Sequence, residues 1–187
     1  GERRPGQVGR PLPGVELRLV DDDGTPVGPG EAGEIQVRGP SVFGAYWQRP
    51  EATAEAFTEE GWFRTGDRAV EREGAFRILG RMSVDILKTG GEKVSALEIE
   101  DALRTHPGVR DCAVVGVPDP EWGERVCGAV VASLPEAPPE PESLRRYLKE
   151  RLAPYKVPKE IRLLEDLPRN AMGKVTKPAV RELFEEG

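Results

Sequence analysis

Two apolar runs restrict this chain more than any other feature: "VRDCAVVGV" at residues 109–117 and "ERVCGAVVAS" at 124–133. Both are of strand length and rich in β-branched residues, which makes them the strongest strand candidates present. Strand-like and helical segments mix around them. "VDILKTGGEKVS" reads as two short strands about a Gly90-Gly91 turn. Ser95 to Glu98 matches a capping box, in which both side chains can accept backbone N–H groups at a helix start. The helix it opens is expected to reach Thr105. Leu144, Tyr147, Leu148 and Leu152 make a helical stripe within 143–152, "EIRLLEDL" is strand-like, and "KPAVRELFEEG" reads as a last helix. A compact mixed α+β domain is expected from residue 83 onward.

The first part of the chain reads differently. "VELRLVDDDGTPV" alternates and then turns at Asp23-Gly24, a hairpin signal, and "GEIQVRG" is a second alternating strand. "RPEATAEAF" is a short helix with Pro50 in its first turn. "GWFRTGDRAVEREGAFRILGR" is another hairpin, turning at Glu73-Gly74. The expected fold class is therefore α+β: a small β-rich subdomain over residues 1–82, then a mixed domain over 83–187. No long linker separates them, so the two could rotate about one or two backbone dihedrals.

Bulk properties exclude several classes of partner. The net charge of −6 disfavours nucleic acid, whose binders carry a basic face. No apolar run approaches the length of a membrane span, and nothing at the start reads as a signal peptide. The two cysteines, Cys112 and Cys127, fall inside the apolar runs and read as buried free thiols. With His106 at a helix end they cannot make an ordinary zinc site, and no metal site is expected. A reducing compartment, the cytoplasm, is the expected location. The opening "GERRPGQVGRPLPG" lacks an initiator methionine and reads as loop, so a fragment is expected.

Several short motifs carry either a plain or a chemical reading. In "TGDRA", Asp67 is a turn aspartate or a carboxylate that accepts from ribose hydroxyls. Arg81, in "GR" beside the domain boundary, is a surface salt-bridge residue or a ribose or phosphate ligand. "KTGGEKVS" is a hairpin turn or a place where glycines let backbone approach a ligand; it is not a Walker A loop. In "LPRNAMGK", Lys174 is a solvated loop lysine or a placed cation.

In their order, these elements remove most of that ambiguity. "YWQRPEATAEAF", "GWFRTGDRA", "GRMSVDILKTGGEKVSALEIE", "VVGVPDPEWGERVCGAVV", "LAPYKVPKEI" and "LPRNAMGK" together resemble the C-terminal part of the AMP-forming acyl-CoA synthetases, the adenylate-forming superfamily. The resemblance covers nearly the whole chain. "GPSVFGAYWQRPE", "GRMSVDILKTGGEKVSALEIE" and "LAPYKVPKEI" are similar to the malonyl-CoA synthetase group's versions of the shared motifs.

The resemblance implies a two-step chemistry with ATP, Mg²⁺ and CoA. A small carboxylic acid attacks the α-phosphorus of ATP to give acyl-adenylate and pyrophosphate, and the CoA thiol then displaces AMP. It implies Lys174 as the adenylation cation and Asp67 with Arg81 as AMP ribose ligands. Ser83, Val84 and Asp85 would form the hinge. Lys88, Gly90 and Gly91 would form the hairpin on the CoA pantetheine side. The family's phosphate loop, adenine-contacting motif and acyl pocket lie upstream of the matching region, and the Mg²⁺ ligands with them. Two other readings keep the fold: an adenylation domain serving a carrier protein, or a relic without catalysis. Retention of Asp67, Arg81, Lys88 and Lys174 together speaks against the relic. The 187 residues alone, given ATP with malonate, acetate or a fatty acid, are expected to release no pyrophosphate above background. Release above background would overturn this.

Overall fold

The computed structural model describes residues 7–185. The chain divides into two compact units, Gly1–Ser83 and Val84–Gly187. In the first, strands β1 (Glu16–Val20), β2 (Ala32–Arg38), β3 (Phe63–Arg72) and β4 (Ala75–Arg81) form an antiparallel sheet in sequence order. Glu73 and Gly74 both take positive φ, 53° and 74°, the geometry of a tight two-residue hairpin turn. The turn at Asp23-Gly24 is also present, held by Asp21 Oδ1, which accepts from the amides of Asp23 and Thr25 at 3.0 and 2.8 Å. It folds the chain back only as far as a Val20–Pro26 bridge; the strand that pairs with β1 is β2, with Leu19 opposite Ile35.

Leu19, Ile35 and Ala69 are the buried centre of this small sheet. Trp62 is buried between two guanidiniums, Arg18 and Arg38, each 4.5 Å from its ring centre. Helix α1 (Pro50–Ala56) buries no residue of its own, so tertiary packing adds little to its stability.

The second unit is built on β5 (Ile86–Thr89), β6 (Glu92–Ser95), β7 (Val109–Asp119), β8 (Gly123–Ala132) and β9 (Glu160–Leu164). The long pair β7–β8 is antiparallel, β9 adds parallel to β8, and β5 meets β8 at Thr89–Gly123. Both long strands are apolar at successive positions because both faces are covered. Cys112, Val114, Val126 and Val130 pack with Ile99 and Leu103 of α2 (Ala96–Arg104) and Leu144 and Leu148 of α3 (Pro141–Lys149). Ala113, Val115, Cys127, Ala129 and Val131 pack with Val180 and Phe184 of α4 (Lys177–Glu185). Each fully buried valine contributes about 1.5–3 kcal/mol.

Helix α2 begins as the capping box implies, with the Ser95 hydroxyl accepting from the Glu98 amide at 3.2 Å. Helix α3 is displaced from the 143–152 stripe: Pro141 opens it, and Leu152 packs on the core from beyond its end.

Cys112 and Cys127 lie on opposite faces of the sheet, so they cannot bridge. Burial pushes the Cys112 thiol up to about 12 and the Cys127 thiol up to about 11, against the lowering effect of Arg104 and Arg125 respectively. Thiolate is the reactive form, so both should be inert near neutrality. At pH 8, iodoacetamide should leave both native cysteines unlabelled and modify them after unfolding, as read by peptide mass spectrometry. Rapid native labelling of either would contradict this burial.

Candidate active site

The candidate residues fall into a cluster in the first unit, the boundary, and two places in the second unit. In the first, Asp67 and Arg81 are direct partners across β3 and β4. Arg81 Nε donates to Asp67 Oδ1 at 2.9 Å, and its Nη2 reaches the Thr65 carbonyl at 3.3 Å. Thr65 Oγ1 accepts from the Asp67 amide at 3.1 Å and donates to the Ile35 carbonyl at 2.8 Å. Arg81 therefore holds the Asp67 carboxylate while Thr65 holds its backbone, and the Arg81 side chain remains 56% exposed. Hydroxyl donors could add to such a carboxylate, and phosphate or ribose oxygens to such a guanidinium.

At the boundary, the Met82 amide donates to the Gly66 carbonyl at 2.8 Å, which ties it to the first unit. Asp85 belongs firmly to the second: its carbonyl accepts from the Ala96 amide at 2.8 Å, and its carboxylate accepts from Lys177 Nζ at 2.5 Å. Ser83 and Val84 lie between these anchors, on either side of the division.

Gly90 and Gly91 turn β5 into β6 with φ of 58° and 81°, and Lys88 faces Lys93 across the pair. Beyond the glycine pair, two side chains that the sequence reading did not single out shape this hairpin. Trp122 covers one side: its carbonyl accepts from the Gly90 amide at 2.9 Å, and its ring would lie 3.1 Å from a Cβ placed on Gly90. Lys159 Nζ stands 4.1 Å from the centre of that ring. Glu124 Oε2 accepts from the Lys88 amide at 2.7 Å. A Cβ on Gly91, by contrast, would meet nothing within 4 Å. The signal for these partners was their place at the junction of the two long strands, Trp122 in the turn after Pro120 and Glu124 at the start of β8.

Lys174 sits on the loop before α4. Asn170 closes that loop, its Oδ1 accepting from the amides of Met172 and Lys174 at 3.0 Å each. The Asn170 amide in turn donates to the Lys174 carbonyl at 2.9 Å. Arg169 donates to the Gly173 carbonyl at 2.9 Å and pairs with Asp111. The backbone is thus held while the side chain is exposed, and among the described residues its ammonium has no carboxylate partner. A rigid loop carrying a free cation can stabilise charge that develops on a bound phosphate or carboxylate.

The family model for the AMP-binding enzyme C-terminal domain matches residues 98–174, ending on Lys174, and that for the AMP-binding enzyme matches residues 1–47. The chain belongs to the AMP-binding enzyme superfamily. It is 49% identical to mitochondrial malonate–CoA ligase of Mus musculus, over 99% of this chain and 35% of the relative. ATP-bound MatB from Rhodopseudomonas palustris superposes with a TM-score of 0.91 at 40% identity, over 100% of this chain and 37% of that one. The amide bond synthetase McbA from Marinactinospora thermotolerans superposes with a TM-score of 0.89 at 40% identity, over 96% and 36%. The chain thus spans about a third of the length of each.

These relatives overturn the cytoplasmic expectation, since the mouse ligase and its human, bovine and Xenopus counterparts are mitochondrial. The physical reason is simple. Thiols buried on opposite faces of a sheet stay reduced in any surroundings, so they carry no address.

The hairpin geometry separates its two glycines. Both Gly90→Ala and Gly91→Ala should destabilise, because a Cβ at positive φ costs roughly 1–2 kcal/mol. Gly90→Ala should cost more, since its methyl also presses on Trp122, and Trp122→Ala should remove the difference. Denaturant unfolding of the variants measures this; equal losses for both glycines would show that Trp122 does not crowd Gly90.

Proposed function

We propose that these residues belong to an AMP-forming acyl-CoA ligase, with malonate as its acid. The observation that carries the ligase reading is the exposed Lys174, unpaired among the described residues, on a loop whose backbone is closed by Asn170. Malonate rests on likeness to ligases that are named for it in mouse and Arabidopsis thaliana, at 49% and 46% identity.

In the first step a carboxylate oxygen attacks the α-phosphorus of ATP, and pyrophosphate leaves. Negative charge on the transferring oxygens is met by the Lys174 ammonium, a compact point charge on a flexible stem. Asp67 accepts from the ribose hydroxyls, with Arg81 holding the carboxylate in place and offering its remaining N–H groups to the nucleotide. In the second step the thiol of CoA attacks the acyl carbon, and AMP leaves.

The thiol needs a route that Lys174 does not obstruct. A turn of the second unit about Ser83 and Val84 would withdraw the lysine and offer the Gly90–Gly91 hairpin in its place. Asp85 moves with that unit, being anchored to α2 and Lys177, so the pivot narrows to the two residues before it. Gly91 suits the passage of a pantetheine arm because nothing within the unit fills the space where its Cβ would stand. Among the described residues no group of three His, Cys, Asp or Glu side chains could hold a metal ion. These side chains do not fit a resident Mg²⁺, which would arrive with ATP, and no step is assigned to it.

A second reading concerns the acceptor alone. The likeness to McbA, an amide bond synthetase, equals that to MatB in identity, so an amine in place of the thiol is the alternative.

In the whole protein, Lys174→Ala should lower malonate-dependent adenylation by several orders of magnitude and leave thioester formation from supplied malonyl-adenylate nearly intact. Gly91→Leu should do the reverse, with unfolding temperature and adenylation rate as controls on the same preparation. Equal losses in both half-reactions for Lys174→Ala would remove it from the adenylation step. Consumption of amines but not CoA would establish the second reading.

A further inference from the structure

A charge cluster centred on the buried Glu100 links the loop of Lys174 to the strand that begins the second unit. Lys177, the first residue of α4, places its ammonium between two carboxylates, 2.5 Å from Asp85 Oδ1 and 2.8 Å from Glu100 Oε1. Glu100 is 3% exposed because it lies on the buried face of α2, and both its oxygens are engaged. Oε1 also accepts from the Val114 amide at 2.8 Å, and Oε2 pairs with Arg104 at 3.3 Å.

The position of Lys177 is itself unfavourable. A helix N-terminus carries the positive end of the macrodipole and repels a cation. Desolvating the ammonium adds to that penalty, so an unpaired lysine would swing out to water. Two carboxylates, the buried Glu100 and the partly buried Asp85, hold it in place instead.

We propose that Lys177 is a positioning residue for Lys174, and that the Asp85–Lys177–Glu100 cluster sets where the lysine loop stands relative to the hinge. The loop's own hydrogen bonds fix its shape, and Leu167 and Val175 rest its two ends on the apolar cluster under α4, a contact without direction. Two ion pairs anchor it to the rest of the unit, Arg169–Asp111 on one arm and Lys177 on the other. The first is partly solvated, with side chains 36% and 27% exposed, and such pairs hold loosely. The second is better shielded from water, with 13% for Lys177, 17% for Asp85 and 4% for Glu100. Lys177 follows Lys174 by three residues, at most about 11 Å of extended chain. Asp85 is the second residue after the division between the units. A stiff link therefore runs from the pivot through Asp85 and Lys177 to Lys174, and rotation about the pivot is transmitted to the lysine without slack.

This inference rests on the adenylation role of Lys174, and the test separates the two. In the whole protein, Lys177→Met should lower kcat for malonate-dependent ATP–pyrophosphate exchange by about 100-fold, as a misplacement near 1 Å does. KM for ATP and thioester formation from supplied malonyl-adenylate should stay within about twofold. In a Lys174→Ala background, Lys177→Met should cost nothing more, because it acts only through that lysine. Lys177→Arg, which keeps a cation on the two carboxylates, should recover part of the rate.

Lys177→Met takes the cation from Asp85 and one of two cations from the buried Glu100, and could impair folding. The charge-balanced variant Lys177→Met/Asp85→Asn removes the link and leaves Glu100 on Arg104 and the Val114 amide, and it should show the same selective loss. Normal adenylation in a folded charge-balanced variant, equal losses in both half-reactions, or a further loss on top of Lys174→Ala would each overturn the inference alone. Intact adenylation in Lys174→Ala by itself would overturn the role of Lys174, and this inference with it.

Discussion

The second unit depends on burying the β7–β8 pair on both faces. A strand covered on one side alternates apolar and polar residues; these two do not, and their continuous valines and alanines require a layer of helix on each side. Helices α2 and α3 supply one layer and α4 the other. The last helix is thus a structural necessity for the sheet. Because it must dock there, the loop leading into it is held close to the domain body, and Lys174 is carried on that loop.

Hydrophobic packing brings α4 to the sheet, and charge then specifies its placement. Lys177 and Arg181 are one turn apart on the helix; Lys177 reaches Asp85 and Glu100, and Arg181 reaches Glu124 at 3.7 Å. Glu124 also holds the Lys88 amide of the hairpin strand. The helix behind the lysine loop therefore bears on the start of β5 through one pair and on its middle through another. Both candidate faces of the domain, loop and hairpin, are referred to the same helix. An independent motion of the loop would strain the Lys177 pairs, and one of the hairpin the partly exposed Arg181–Glu124 contact.

Much of the candidate site is legible in the sequence. Gly90-Gly91, Glu73-Gly74 and Ser95–Glu98 are local signals, each needing only a few consecutive residues to take one backbone geometry. The stripe at 143–152 was a poorer guide to helix α3, because Leu152 is apolar for packing beyond the helix end and Pro141 opens the helix earlier. The turn at Asp23-Gly24 formed as expected yet did not decide strand pairing. Pairing is a contest between segments, and β2 offered a longer apolar match than the residues next to the turn.

The amino-acid order by itself determined the family, the α+β class, the turns, and the lysine, aspartate and arginine with chemical potential, since all of these follow from residue type and short spacing. It also contained one clue to more: Glu100 on the apolar face of α2, a carboxylate that must find a cation or be expelled. Only the tertiary structure decided which cation that is. Lys177 stands 77 positions further on in the sequence, and Asp85, the third member, 92 positions from Lys177. Their meeting depends on two helices docking against a sheet between them, and no spacing rule reaches across such separations.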